Sequence, residues 1–281
     1  PGKKKEFKPE LTVLIFEEPE AFLHPMQQIM LCRSLKSIGE TQGNQIFTSS
    51  HSPNFVSHNS GDLPSIVSIN KQDKKTEKGQ IGAETLQSIF SDNQQINDML
   101  KGTSYEAEID DLKEEMEAVK YFLWLNSERC GMFFARQVLL VEGPTERMLI
   151  DFLFDTGSLE MPNGGVFVLD CLGKFNIHRF MNILGPLKIS HAVLYDADGD
   201  KPPHEKIKQL IEESRNVYTT NIDTFPIDIE DFLKIEKSKK KHRKPQHLML
   251  KLKEDKVDPK KIDELVVKID ALVKYKNDVK H

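Results

Sequence analysis

The sequence has little cysteine and no long hydrophobic run. Three cysteines occur among 281 residues, far apart along the chain: Cys32, Cys130 and Cys171. Disulfide-stabilised secreted domains and zinc knuckles need several closely spaced cysteines, so the pattern excludes both and favours a reducing cytoplasm. No apolar run approaches the roughly 20 residues that cross a bilayer. We therefore expect a cytoplasmic protein that makes no contact with a membrane.

Other signals are also missing. The first ten residues, PGKKKEFKPE, contain neither an initiator methionine nor the apolar core of a signal peptide, which predicts a piece of a longer protein. The histidines lack the spacing of zinc ligands, and no aromatic-rich RNA-recognition motif occurs. Hydrophobic residues make up 38% and charged residues 30%. This composition is typical of a globular chain with one large domain or two ordinary ones.

Strand and helix patterns alternate in the first part of the chain. The predicted elements are a strand over Leu11–Phe16, a helix from Pro25 to about Ile38, and strands over Gln45–Ser50 and Pro64–Asn70. A strand, a helix and a strand in succession predict a parallel sheet with a crossover helix. The composition turns polar from Lys71 to Gly79, which predicts a boundary, and residues 83–136 read as a helical connector.

Alternation resumes at Gln137. The predicted strands are Val138–Val141, Val166–Asp170, Ala192–Tyr195 and Val217–Thr219, with helices between them and two helices in the tail. The fold class predicted is therefore α/β with a mostly parallel sheet. The predicted domains are a partial α/β lobe over 1–72, the connector over 73–136, a second α/β domain over 137–240 and a helical segment over 241–281.

Acidic residues end the first predicted strand, in LTVLIFEEPEAFLHP. Glu17 and Glu18 follow the apolar run, and His51 follows the next strand in IFTSSHSP. Carboxylates and an imidazole at neighbouring strand ends suit Mg²⁺ and phosphate chemistry. The segment resembles the Walker B acids, D-loop and switch histidine of ABC-type ATPases, in the branch shared by SMC-like proteins and OLD-family nucleases. That resemblance implies an ATP–Mg²⁺ site at these three residues.

The ATPase half is incomplete. No Gly-x-x-x-x-Gly-Lys-Ser/Thr phosphate loop occurs in the sequence, and Gly173-Lys174 lacks both the upstream glycine and the following hydroxyl residue. Glu17 also stands where ABC-type ATPases usually carry aspartate. We expect ATP–Mg²⁺ to bind only together with the missing N-terminal half.

A second acidic group follows the strands of the later domain. Glu142 ends one predicted strand, Glu146 lies one helical turn later, and Asp196 and Asp198 alternate at the end of another strand. The carboxyl ends of parallel strands open onto one crevice, where these carboxylates would repel one another unless cations neutralised them. Because all the ligands are oxygen, Mg²⁺ or Mn²⁺ is the expected occupant.

This pattern of Glu-Gly-x-x-Glu followed by Asp-x-Asp resembles the Toprim domain, and the upstream ATPase segment selects OLD nucleases among the proteins that share it. The resemblance implies metal ligation by Glu142, Glu146, Asp196, Asp198 and Glu230. It also implies two metal ions and transition-state stabilisation by Lys244, so that Lys244 and Glu142 are the predicted catalytic residues. Asp200 and Asp228 remain alternative ligands.

The basic run KSKKKHRK covers Lys237–Lys244. One interpretation is a solvated loop. The other is a set of sequence-independent phosphate contacts beside the metal site, made by Lys239, Lys240, Lys241 and Arg243.

The leading hypothesis is the C-terminal portion of an OLD-family, Toprim-containing endonuclease that cleaves DNA by a two-metal mechanism under control of an ATPase. The resemblance further implies a homodimer or higher oligomer, a role in anti-phage defence and an accessory defence protein as a further partner. One alternative is an SMC-like DNA-binding ATPase whose Toprim part only docks partners. Another is a Toprim nuclease that cleaves RNA.

Overall fold

The computed structural model describes residues 10–56, 60–72, 75–89, 124–199 and 204–274. Three sheets occur in these residues: β1–β2, β3–β4 and a four-stranded sheet. The acidic part of the predicted connector and Asp200 lie outside the described residues. None of the helices among the described residues is both long and apolar enough to span a membrane.

The first sheet is a parallel pair joined by a crossover helix, as the sequence predicts. It consists of β1 (Thr12–Glu17), α1 (Pro25–Gly39) and β2 (Asn44–Ser49). Proline is tolerated in the first turn of α1 because its missing N–H would have no helical partner there. One face of this pair exposes apolar side chains, with Ile15 and Phe47 opposite each other in the strand register.

The next two strands form an antiparallel hairpin, β3 (Val67–Gln72) and β4 (Lys75–Gln80). The predicted third strand therefore exists, but it pairs with β4 and not with the parallel pair. The polar stretch Lys71–Gly79 contains most of β4. The sequence does not predict this strand because KTEKGQ contains no apolar side chain, so the apolar alternation that marks a half-buried strand is absent. Residues 83–89 are helical.

The hairpin packs on a loop of the later domain. Gln80 N donates to the Pro186 carbonyl at 3.1 Å, and the side-chain amide of Asn70 donates to the Leu187 carbonyl at 3.3 Å. Gly79 lies so close to this loop that a Cβ there would be 2.4 Å from the Leu187 carbonyl carbon. Backbone therefore meets backbone at this contact, and only glycine leaves room for it.

The central sheet contains β5 (Gln137–Val141), β6 (Phe167–Asp170), β7 (Ser190–Asp196) and β8 (Thr219–Phe225). Its order is β6-β5-β7-β8, and every neighbouring pair is parallel. The predicted α/β class is thus confirmed. Strand β8 begins where the sequence places the end of its last strand, because TTNIDTF is too polar to stand out as a buried run.

The remaining helices flank this sheet. They are α2 (Pro144–Asp155), α3 (Ile177–Leu184), α4 (His204–Glu213), α5 (Ile229–Phe232), α6 (Lys244–Lys253) and α7 (Pro259–Val273). Alternate residues of β5 enter different cores: Leu140 packs with α3 on one face, and Leu139 packs with α2 and α7 on the other. The central strands are therefore buried on both faces, which explains their continuous apolar sequences.

Candidate metal centre at the carboxyl edge of the central sheet

Two neighbouring strands bring their acids together. Glu142 immediately follows β5, and Asp196 is the last residue of β7, which pairs with β5. Glu142 Oε2 accepts a hydrogen bond from the backbone N–H of Asp196 at 3.2 Å. The strand pairing therefore places Glu142 against the start of the Asp-x-Asp segment, as the parallel arrangement predicts.

Glu146 reaches the same edge from α2. Gly143 precedes the helix and Pro144 begins it, so Glu146 lies in the first turn. Its Oε2 accepts a hydrogen bond from the Gly143 N–H at 3.0 Å, and only 3% of the residue is exposed. The carboxylate thus satisfies one backbone donor at the helix N-terminus, where negative charge is also favoured by the helix dipole.

Burial and neighbouring carboxylates raise the pKa values of the acids at this edge of the sheet. Burial raises the pKa of Glu142 to about 7, and the neighbouring Asp196 carboxylate adds to the rise. Burial likewise raises the pKa of Glu146 to about 8, again with a contribution from Asp196. Desolvation and like charge both disfavour the ionised form. Such shifts are typical of sites where a cation or a catalytic step uses the carboxylates.

Lys244 offsets part of this charge. It begins α6, and its Nζ donates to Asp196 Oδ2 at 3.0 Å. Burial opposes the charged ammonium, but Asp196 and Glu146 outweigh it and raise the pKa of Lys244. The other carboxylate oxygen, Asp196 Oδ1, is buried without a hydrogen-bond partner among the described residues. A buried carboxylate oxygen normally has a hydrogen-bond donor or a cation as its partner.

Asp198 pairs with a different lysine, Lys174. It adopts a left-handed backbone with φ of 53°, which is uncommon for a residue with a side chain. Its carboxylate forms an ion pair with the Lys174 ammonium, and His204 Nδ1 lies 3.7 Å from the same carboxylate. The sequence does not predict a role for Lys174. The only motif that the Gly173-Lys174 pair suggests is a phosphate loop, and it lacks the other residues of that motif.

Glu230, a further predicted ligand, lies on α5. It is 4% exposed, its Oε1 accepts from the Ser238 N–H at 3.0 Å, and His247 Nδ1 lies 3.6 Å away. The predicted alternative ligand Asp228 has a local role: Oδ1 caps α5 by accepting from the Asp231 N–H at 2.8 Å. Capping accounts for an aspartate at this position without a metal.

The basic run borders the acidic edge. Lys239, Lys240 and Arg243 are exposed, whereas Lys237 forms an ion pair with Asp228. The side chain of Lys241 lies outside the description. Lys244 of the same run contacts Asp196, so the exposed cations immediately precede in sequence a residue of the predicted metal centre.

The donor set fits a hard divalent cation, although its side chains are not gathered into a finished site. In the part of the chain that the structure describes, no three His, Cys, Asp or Glu side chains converge as a metal-binding group. Lysines hold Asp196 and Asp198 instead. All the predicted ligands are carboxylates, one buried oxygen of Asp196 has no partner, and the pKa values of Glu142 and Glu146 are raised. Mg²⁺ and Mn²⁺ match such oxygen donors.

The ATPase residues come together at the end of the first sheet. Glu17 ends β1, and His51 Nε2 lies 3.0 Å from Glu18 Oε1, with both side chains exposed. The sequence did not single out Glu20, which is buried and accepts from Ser50 Oγ at 2.5 Å and from the His51 N–H at 2.9 Å. Glu20 therefore holds the segment that carries His51 beside the predicted acids.

The buried hydroxyl of Tyr195 provides a test of whether an unpaired polar atom lowers the stability of the domain. Its hydroxyl is buried and has no hydrogen-bond partner among the described residues, and burial raises its pKa to about 12. We expect Tyr195→Phe to leave the free energy of unfolding unchanged or to raise it by about 1 kcal/mol, because an unpaired hydroxyl is removed. Thr219→Val should instead lower it by about 1–2 kcal/mol, because the Thr219 hydroxyl bonds His191 Nε2 at 2.9 Å. Urea unfolding compares the two; a large loss in Tyr195→Phe would contradict the expectation.

Comparison with known proteins finds relatives of both predicted halves of the chain. Residues 133–198 match the model of the Toprim domain of overcoming lysogenization defect protein-like proteins, and residues 2–56 match an AAA ATPase domain. The chain is 24% identical over 242 residues to "Endonuclease GajA" of Bacillus cereus (strain VD045), covering 85% of this chain and 36% of that protein. It is 26% identical over 192 residues to "OLD nuclease" of Thermus scotoductus (strain ATCC 700910 / SA-01), covering 67% and 31%. The chain thus spans about a third of the length of these curated relatives.

Proposed function

We propose that this chain, which carries an OLD-like Toprim domain behind a segment of an AAA ATPase domain, is the nuclease part of a metal-dependent endonuclease that hydrolyses DNA phosphodiester bonds. The observation that carries the proposal is the contact between the Lys244 ammonium and Asp196, at the sheet edge that also buries Glu142 and Glu146. A cation beside a group of acids is what phosphoryl chemistry requires: ligands for metal and a donor for the transition state.

Glu142, Glu146, Asp196, Asp198 and Glu230 are the residues that would hold Mg²⁺ or Mn²⁺, as two ions. Bound divalent ions supply activation of water and neutralisation of the phosphate charge. Lys244 Nζ would donate to a phosphate oxygen where negative charge grows during hydrolysis. Lys239, Lys240, Lys241 and Arg243 would hold the flanking phosphates, a contact that does not depend on base sequence.

The ATPase segment would regulate this activity in a longer protein. Glu17, Glu18 and His51 would act on ATP–Mg²⁺ once a phosphate loop, which this sequence lacks, completes the site. The ABC-type assignment, the homodimer or higher oligomer, the role in anti-phage defence and an accessory defence protein follow from the family resemblance and belong to the same proposal.

The test is cleavage of supercoiled plasmid by the purified chain with Mg²⁺, Mn²⁺, Ca²⁺ or EDTA, beside a Glu142→Ala variant. We expect nicking or linearisation with Mg²⁺ or Mn²⁺, and none with EDTA or in the variant. A parallel reaction contains structured RNA. Cleavage of RNA alone would replace the DNA assignment. Loss of all cleavage in a folded chain, also in the presence of the complete ATPase half, would favour a docking module.

A further inference from the structure

Lys174 is a buried lysine at the same sheet edge. It follows β6 in a short 3-10 turn, Lys174–Asn176, and is 3% exposed. The turn is fixed to the neighbouring strand because the Gly173 N–H donates to the Glu142 carbonyl at 2.7 Å. Gly173 has φ of 109°, a conformation that residues with a Cβ rarely adopt. The backbone therefore places the Lys174 side chain across the end of the sheet.

The Lys174 ammonium lies between the two aspartates of the Asp-x-Asp segment. Its Nζ donates to the Asp196 carbonyl at 3.1 Å and forms an ion pair with the Asp198 carboxylate. A buried ammonium is costly unless paired charges and hydrogen bonds compensate it. Among the described residues, the hydrogen bond and the ion pair of this ammonium both come from the segment that carries two predicted metal ligands. The lysine and a divalent ion would therefore need the same carboxylate.

We propose that Lys174 is a positioning residue that acts as a resident cation. It holds Asp198 in the metal-free protein and competes with the divalent ion for that carboxylate, which sets the metal concentration at which the site fills. The inference rests on the metal assignment of the proposed function. It adds a residue to which neither the sequence pattern nor the comparisons assign a role.

The charge of Lys174 has two opposite consequences. With no metal, the ammonium stabilises the edge by neutralising Asp198. When a divalent ion arrives, the same ammonium repels it and must release Asp198, and the repulsion is strong because the site is poorly solvated. Asp198 can tolerate the loss of its partner because its side chain is 39% exposed. A neutral side chain at position 174 should therefore favour the metal-bound state over the metal-free state.

The experiment measures Mn²⁺ affinity by titration calorimetry and the melting temperature in EDTA and in saturating Mn²⁺. The variants are Lys174→Met, which keeps the length of the apolar stem, and Lys174→Arg, which keeps the charge. We expect Lys174→Met to bind Mn²⁺ about tenfold more tightly or better, and to melt lower than the wild type in EDTA but not in Mn²⁺. Lys174→Arg should stay near the wild type in both measurements.

Lys188→Met is the matched control. Lys188 also forms an ion pair, with Glu77 Oε2 at 3.1 Å, but it lies in the loop that contacts the β3–β4 hairpin. It should leave Mn²⁺ affinity unchanged. Unchanged or weaker Mn²⁺ affinity in Lys174→Met would overturn the inference and leave the proposed function standing, provided that the wild type binds Mn²⁺. Binding by Lys174→Met alone would support the inference, whereas binding by neither protein would overturn both. If Lys174→Met melted lower than the wild type by the same amount with and without Mn²⁺, the role of Lys174 would be purely structural, and the inference would be overturned.

Discussion

Replacing Lys244 with alanine is expected to slow metal-dependent DNA cleavage by about 100- to 1000-fold, the usual cost of losing one preorganised donor to a transition state. The ammonium is fixed 3.0 Å from Asp196 Oδ2 at the start of α6. Its loss removes the donor and also leaves Asp196 with a second unpaired oxygen, since Oδ1 already has no partner among the described residues. Single-turnover cleavage at saturating Mn²⁺ measures the effect.

Two control variants separate this role from general loss of positive charge. Lys253→Ala removes an exposed lysine from the other end of the same helix and should leave the rate unchanged. Lys240→Ala removes an exposed cation of the basic run and should weaken DNA binding, with the slope of affinity against salt reduced by about 1, while the rate at saturation persists. A normal rate in folded Lys244→Ala would exclude the lysine from catalysis.

Gly79→Ala is expected to lower the free energy of unfolding by about 1–3 kcal/mol, the usual cost of forcing extra atoms into a packed contact. The added Cβ would lie 2.4 Å from the backbone of Leu187, and the hydrogen bond from Gln80 N to the Pro186 carbonyl holds these two segments together. Denaturant unfolding measures the loss, and amide exchange at Gln80 should report the opening of the contact.

Gly82→Ala is the matched control because it adds the same methyl group in open space. A Cβ at Gly82 would contact only Thr85 Oγ1, at 3.8 Å. We expect a loss of at most about 0.5 kcal/mol, because Gly82 precedes the helix of residues 83–89 and alanine caps a helix less well than glycine. Equal stability of the two variants would mean that the hairpin does not pack on the loop in solution.

The sequence predicts the acidic edge well because its signals are local. Glu142 and Glu146 stand one helical turn apart after an apolar strand, and Asp196 ends another, so strand pairing alone brings them together. The α/β class follows from the same alternation. The rest of the site depends on contacts between segments that are distant in sequence, and no local sequence pattern predicts those contacts. Lys174 carries no motif, and its importance arises only when β6 is placed beside β5.

The sheet assignments fail where polar residues form strands. The charged stretch of β4 reads as a boundary, and the strand predicted over Val217–Thr219 stops where β8 begins, because both stretches contain few apolar residues. The first residues of helices are better predicted, since Pro25, Pro144 and Pro259 mark the first turns of three helices. Register and strand partners require tertiary contacts, and these are what the structure adds.

The order of elements along the chain bears on biosynthesis. Among the described residues, β5 pairs only with strands synthesised after it, and the lysine that contacts Asp196 comes from α6, later than the central sheet. Domains fold as units during translation, once their distant contacts can close. A nascent chain on the ribosome therefore possesses its acids before it possesses Lys244. If the edge cuts DNA as proposed, cleavage begins only after the ribosome has released the segment that carries Lys244.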